Sequence, residues 1–200
     1  MNSSDAHGSV VALRRIATTA ALLASLIVGP SPSGAQPTPH ATTAGGSHQI
    51  NALSGCMNQW LFNGIWRLRI MSVAAYNDVV GLPGFKVSFE VRNGSSKSTS
   101  MLKTGLPSHP GSLVFDDENE LDGTNTDASV AYNNVYFKDV PPSGAMKFTI
   151  PFLFQPKPTA VPKPVKWLLQ IDPTKEYPGA PRYTTSNPNL RIDLTCTKTS

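Results

Sequence analysis

The sequence predicts an all-β protein: an antiparallel β-sandwich of seven or eight strands, with one disulfide joining the ends of the domain. Three observations predict it. Fifteen Gly and eighteen Pro among 200 residues disfavour helices, because Gly costs backbone entropy and Pro breaks the helical hydrogen-bond ladder. Several short segments alternate apolar and polar residues with a period of two, and turn residues separate them about every ten positions. A single pair of cysteines, Cys56 and Cys196, brackets the whole alternating region. In an exported chain such a pair reads as a disulfide, and closing so long a loop is worth roughly 4–5 kcal/mol in the chain-entropy model. Free or metal-binding thiols are the alternative, but no Cys or His clusters near either one.

Residues 1–35 read as a signal peptide and stand apart from the fold. Arg14 and Arg15 form a basic start, Ile16 to Val28 an apolar stretch, and Gly29 and Pro30 a break. Ser33-Gly34-Ala35 then offers small residues for cleavage before Gln36. The apolar stretch of 13 residues is shorter than the about 20 that span a bilayer, so a retained short anchor is the alternative. Residues 36–54 are Pro, Thr, Ala, Gly, Ser and His with hardly a large apolar side chain. This stretch is expected to be a disordered tether, and His40 and His48 within it are read as solvated.

The domain is placed at residues 55–200. Trp66, Leu68 and Ile70 alternate with Arg67 and Arg69 just after Asn63-Gly64. Phe85, Val87, Phe89 and Val91 alternate with Lys86, Ser88, Glu90 and Arg92. Asn93-Gly94 follows as a turn in which both residues tolerate positive φ. Met146, Phe148, Ile150, Phe152 and Phe154 form a third stripe, and Val165, Trp167, Leu169 and Ile171 a fourth. Leu190, Ile192, Leu194 and Cys196 make the last. Weaker strands are expected at 97–103, 112–115 and 129–138, and no window sustains apolar residues at helical spacing. The run from Pro151 to Pro164 holds prolines at 151, 156, 158, 162 and 164, and its second half reads as a stiff, bent connection between the third and fourth stripes. One wet face per stripe is what antiparallel sheets show. Phase points Cys196 inward, toward a disulfide at the core edge between the first and last strands.

Removing Arg14, Arg15 and Asp5 from the 17 basic and 13 acidic residues leaves 15 and 12. That dispersed excess makes no case for nucleic acid. The acidic stretch 116–127 is the clearest place for chemistry. Its oxygen-rich side chains suit calcium, and Asp117, Asn119, Asp122 and Asp127 would be the ligands, although the spacing is not that of an EF-hand loop. A solvated inter-strand loop is the alternative. Paired carboxylates can also hydrolyse glycans across a cleft, but here all of them lie on one loop. His109 beside Ser108 lacks a third group to orient it, so it is read as a turn histidine. Trp66 and Trp167 are in phase with apolar stripes and belong to the core. Tyr132, Tyr136, Tyr177 and Tyr183 are the candidates for surface contact with a ligand.

Three segments resemble a family of secreted immunoglobulin-like sandwich domains of uncharacterised function, distantly related to the mycobacterial secreted immunogenic antigens. They are the alternating strand Phe85 to Asn93 with its turn through Lys97, the strand and acidic turn Leu113 to Asn119, and Val140-Pro141-Pro142-Ser143-Gly144 leading to the Phe-rich strand. The Pro-Pro-Ser-Gly turn departs from the tighter Pro-Gly expected of the family. The resemblance covers roughly residues 60–195 and implies an immunoglobulin-like fold outside the cytoplasm, with no shared catalytic residues.

Together these readings lead to an exported, non-catalytic binding or interaction module, secreted, periplasmic or at the cell surface. Its partner would be a protein or glycan, with no nucleic acid, no membrane span after signal cleavage, and no cofactor unless calcium binds. A secreted carboxylate-dependent glycan hydrolase and a structural accessory domain of an envelope assembly are the alternatives.

Overall fold

The computed structural model describes residues 42–43, 51–123 and 126–198. The expected signal peptide and most of the expected tether lie outside these residues. The strong alternations become strands: β1 (Thr42–Thr43), β2 (Ala52–Met57), β3 (Leu61–Phe62), β4 (Trp66–Asn77), β5 (Pro83–Asn93), β6 (Ser112–Phe115), β7 (Glu120–Asp122), β8 (Ala145–Leu153), β9 (Pro164–Leu169) and β10 (Leu190–Thr197). A helix, α1 (Thr126–Tyr136), lies between β7 and β8. β2 takes in Ala52–Ser54, residues that composition had given to the tether.

Two sheets form, with strand orders β1-β2-β10-β9-β6-β7 and β3-β4-β5-β8. Their inner faces meet in one aromatic core. Phe85 of β5 stands 5.9 Å from Phe115 of β6, ring to ring, and Phe89 stands 5.3 Å from Trp167 of β9. Trp66 and Trp167 are buried, and each indole N–H finds an acceptor, Thr104 Oγ1 at 2.8 Å and the Pro110 carbonyl at 2.9 Å. Buried Trp needs such a partner.

The pairings are antiparallel except one. β2 runs parallel to β10, with Leu53 opposite Leu190 and Cys56 opposite Asp193. The Cys56–Cys196 disulfide ties these two neighbours, first and last in the domain. The described residues contain ten strands rather than seven or eight: the four not expected, Thr42–Thr43, Ala52–Met57, Leu61–Phe62 and the three residues of β7, are too short or too interrupted to show an alternation.

Three further expectations change. Residues 129–138 are not a strand. Ala128, Tyr132 and Tyr136, spaced by four, are buried, while Val130 is 59% exposed, which is the pattern of a helix packed by one stripe. Residues 97–103 form no ladder; the segment is a turn anchored by isolated bridges Thr99–Val140 and Thr104–Glu176. Asn93-Gly94 does end β5, but Gly94 does not adopt a positive φ. A Cβ there would lie 2.6 Å from the edge of the exposed Phe62 ring, which would have to shift to admit it.

β4 carries a bulge. Its register with β5 shifts between Ile70 and Ser72, leaving Met71 as the extra residue. A one-residue slip exchanges the two faces of a strand. Before the bulge Leu68 and Ile70 point inward and Arg67 and Arg69 outward; after it Val73 and Ala75 take the inner phase opposite Val87 and Phe85. The bulge therefore puts both arginines on the same face as Glu90 and Arg92.

Candidate functional site

The outer face of the four-stranded sheet gathers the charged residues of β4, β5 and β8. Directly paired residues share a face, and the ladders set Arg67 opposite Arg92, Arg69 opposite Glu90, and Glu90 opposite Lys147. Lys86 lies further along the same face, its ammonium 3.9 Å from the centre of the Tyr76 ring. Five cations and one carboxylate occupy this surface.

Glu90 is buried, and two arginines hold it. Arg69 donates from Nε and Nη2 to Oε2 at 3.0 and 2.6 Å, and Arg92 from Nε and Nη2 to Oε1 at 3.2 and 2.8 Å. Burial pushes the Glu90 carboxyl up. The hydrogen bonds and charges of Arg92 and Arg69 outweigh that and hold it below the usual glutamate value. Trp60 covers the cluster. β3 pairs Leu61 with Leu68 and Phe62 with Arg67, so the preceding residue falls over Arg69. The guanidinium carbons of Arg69 and Arg92 lie 4.6 and 5.0 Å from the Trp60 ring centre, and that of Arg67 lies 5.0 Å from the Phe62 ring.

At one end the face dips into a hollow of about 290 Å³, lined by Trp60, Arg67, Arg92, Asn93, Gly94 and Ser143. Asn93 is a brace. Its Nδ2 donates to the Lys97 and Val140 carbonyls at 2.7 and 2.8 Å, and its Oδ1 accepts from Ser95. Ser143 sits in the turn Pro141–Gly144, closed by Gly144 N–H donating to the Pro141 carbonyl at 2.9 Å, and it has φ 62°. This is the position of a type II turn where glycine is the ordinary occupant.

The residues singled out from sequence are placed elsewhere. Asp117 and Asn119 meet at the β6–β7 turn, where the Asn119 amide donates to Asp117 Oδ2 at 2.8 Å. Asp122 lies at the far end of β7, paired with Ser112, about 10 Å further along at 3.4 Å per residue. Its Oδ1 is 3.4 Å from His109 Nδ1. The side chain of Asp127 lies outside the described structure. Among the described residues no group of three or more His, Cys, Asp or Glu side chains gathers where it could hold a metal ion.

Tyr132 and Tyr136 are buried, not surface rings, and burial raises both phenols. Tyr136 donates to the Leu106 carbonyl at 3.0 Å. Tyr183 donates to the Thr104 carbonyl at 2.6 Å, and burial raises its phenol too. Tyr177 is the one of the four that is exposed. Trp60 stands in the sequence as one more aromatic that could stack on a ligand; its grouping with the three arginines is what sequence reading missed. The available signal was the phase change in the apolar pattern of 66–75, from even positions to odd, which marks the bulge.

The chain matches no family model, no curated protein and no solved structure.

Proposed function

We propose that the chain is an exported, non-catalytic binding module on an immunoglobulin-like sandwich, and that it takes an anionic partner on the outer face of its four-stranded sheet. The observation that carries this reading is Arg67 set directly across from Arg92, with Glu90 already shared between Arg92 and Arg69. Like charges opposed across a strand pair destabilise a sheet, and local rules are broken most often where a site is built. An anion between the two guanidiniums relieves the repulsion. Lys86 and Lys147 extend the field and speed encounter with a negative partner. The disulfide supports a place outside the reducing cytoplasm. Among the described residues no helix is long and apolar enough to cross a membrane.

Retention of the chain from residue 36 on immobilised polyglutamate, over a salt gradient, tests the reading. The expected result is binding that weakens with salt and is lost in the Arg67→Glu/Lys147→Glu variant. Flow-through at low salt, or elution of the variant at the wild-type salt concentration, would overturn it.

A further inference from the structure

We propose that the hollow beside Trp60 is a subsite for one carboxylate-bearing sugar, a uronate residue of an acidic glycan. The inference rests on the anionic-partner reading and narrows it. Three features meet at this hollow. Arg67 and Arg92 face each other across two strands, and Arg67 has a ring partner, Phe62, but no carboxylate within ion-pair distance among the described residues. Trp60 lies partly buried at the sheet surface, over Arg69 and Arg92. Ser143 holds a left-handed backbone that glycine would hold without strain, and such strain collects at ligand clamps.

The chemistry of the walls selects the ligand. Guanidinium forks recognise a carboxylate bidentately. Arg92 spends Nε and one Nη on Glu90 and keeps its remaining donors, whereas Arg67 keeps its whole fork. The Trp60 indole, stacked against the guanidiniums of Arg69 and Arg92, also lines the hollow and offers a pyranose ring an apolar contact. The exposed Ser143 hydroxyl can donate or accept at the rim, while Asn93 has its amide committed to the backbone. The volume of about 290 Å³ lies at the lower limit for small-molecule pockets, which suits a single ring rather than a folded partner. A bare inorganic anion would leave the indole unused, and a neutral sugar would leave the arginines opposed.

The test is a titration of the isotope-labelled chain from residue 36 with trigalacturonate, read at the Trp60 indole N–H and assigned with Trp60→Phe. A saturable shift is expected, at least about tenfold weaker for a neutral galactose trisaccharide and for inorganic sulfate, as loss of charge-assisted bonds or of ring contact predicts. Arg67→Gln, which touches neither Glu90 nor the core, should weaken the acid about tenfold or more with an otherwise unchanged amide spectrum. Arg67→Lys should restore only part of it. No saturable shift, equal affinity for the neutral sugar or for sulfate, or an unaffected Arg67→Gln variant would overturn the inference. Retention on polyglutamate without a uronate shift removes this subsite alone, and failure of both removes the anionic-partner reading with it.

Discussion

At the scale of single residues, Glu90 and Ser143 bear on stability in opposite directions. Glu90 is a buried carboxylate whose burial is offset only because Arg92 and Arg69 approach it from both sides. Removing one partner of a buried pair leaves the rest uncompensated, at up to 3–5 kcal/mol. Both arginines here are partly solvated, so Glu90→Gln is expected to cost about 1–3 kcal/mol in denaturant melts. The folded pKa of Glu90 is lowered, so its contribution is fully present above the unfolded value of about 4.3. It is lost as pH falls through the lower folded value. The stability gap between wild type and Glu90→Gln should therefore narrow as pH falls below the unfolded value of about 4.3. Ser143 makes the opposite prediction. Glycine tolerates φ 62°, so Ser143→Gly should leave stability unchanged or raise it by up to about 1 kcal/mol, relief of backbone strain outweighing the entropy glycine adds to the unfolded chain.

At the scale of elements, the strands with long uninterrupted alternation were legible and the helix was not. Phe85 to Val91 and Leu190 to Cys196 show one phase throughout, and the structure places them in β5 and β10. The segment 126–136 combines Val, Tyr and Asn, residues of poor helix propensity. Val130, Tyr132 and Tyr136 also share a parity that mimics a strand. What makes it helical is tertiary: Ala128, Tyr132 and Tyr136 form a stripe, and Tyr132 stands 6.5 Å from Phe148 of β8. The two readings predict different mutants. A strand would place Val130 and Tyr132 on one face, whereas the helix buries Ala128 and exposes Val130. Val130→Asp should change stability by no more than about 0.5 kcal/mol, and Ala128→Leu should cost about 1–3 kcal/mol by overpacking. Either can be read from the midpoint of thermal unfolding.

At the scale of the whole molecule, charge is segregated in a way that no local pattern displays. Asp116, Asp117, Glu118, Glu120 and Asp122 crowd the β6–β7 hairpin of one sheet, while Arg67, Arg92, Lys86 and Lys147 lie on the outer face of the other. The acidic run is contiguous in sequence and drew attention; the basic face is assembled from three strands, each of which shows only its own polar phase until the register joins them. That register depends on Met71, since pairing β4 and β5 without the bulge would send Arg67 and Arg69 to the wrong side. The disulfide was legible because two cysteines permit one partnership. Its replacement by Cys56→Ala/Cys196→Ala should lower the unfolding free energy by about 2–5 kcal/mol, measured by denaturant titration.

The parallel pairing of β2 with β10 also orders events in time. β10 lies between β2 and β9 in the six-stranded sheet, so an interior strand of that layer is the last one synthesised. Until Leu190–Thr197 has left the ribosome, β2 has no partner on its inner side and β9 has a bare edge. Completion of the sheet requires contact between segments separated by most of the domain, the kind of closure that folds slowly. The six-stranded layer therefore closes later than its other strands are made, and the disulfide that joins β2 to β10 can form only once both of them exist.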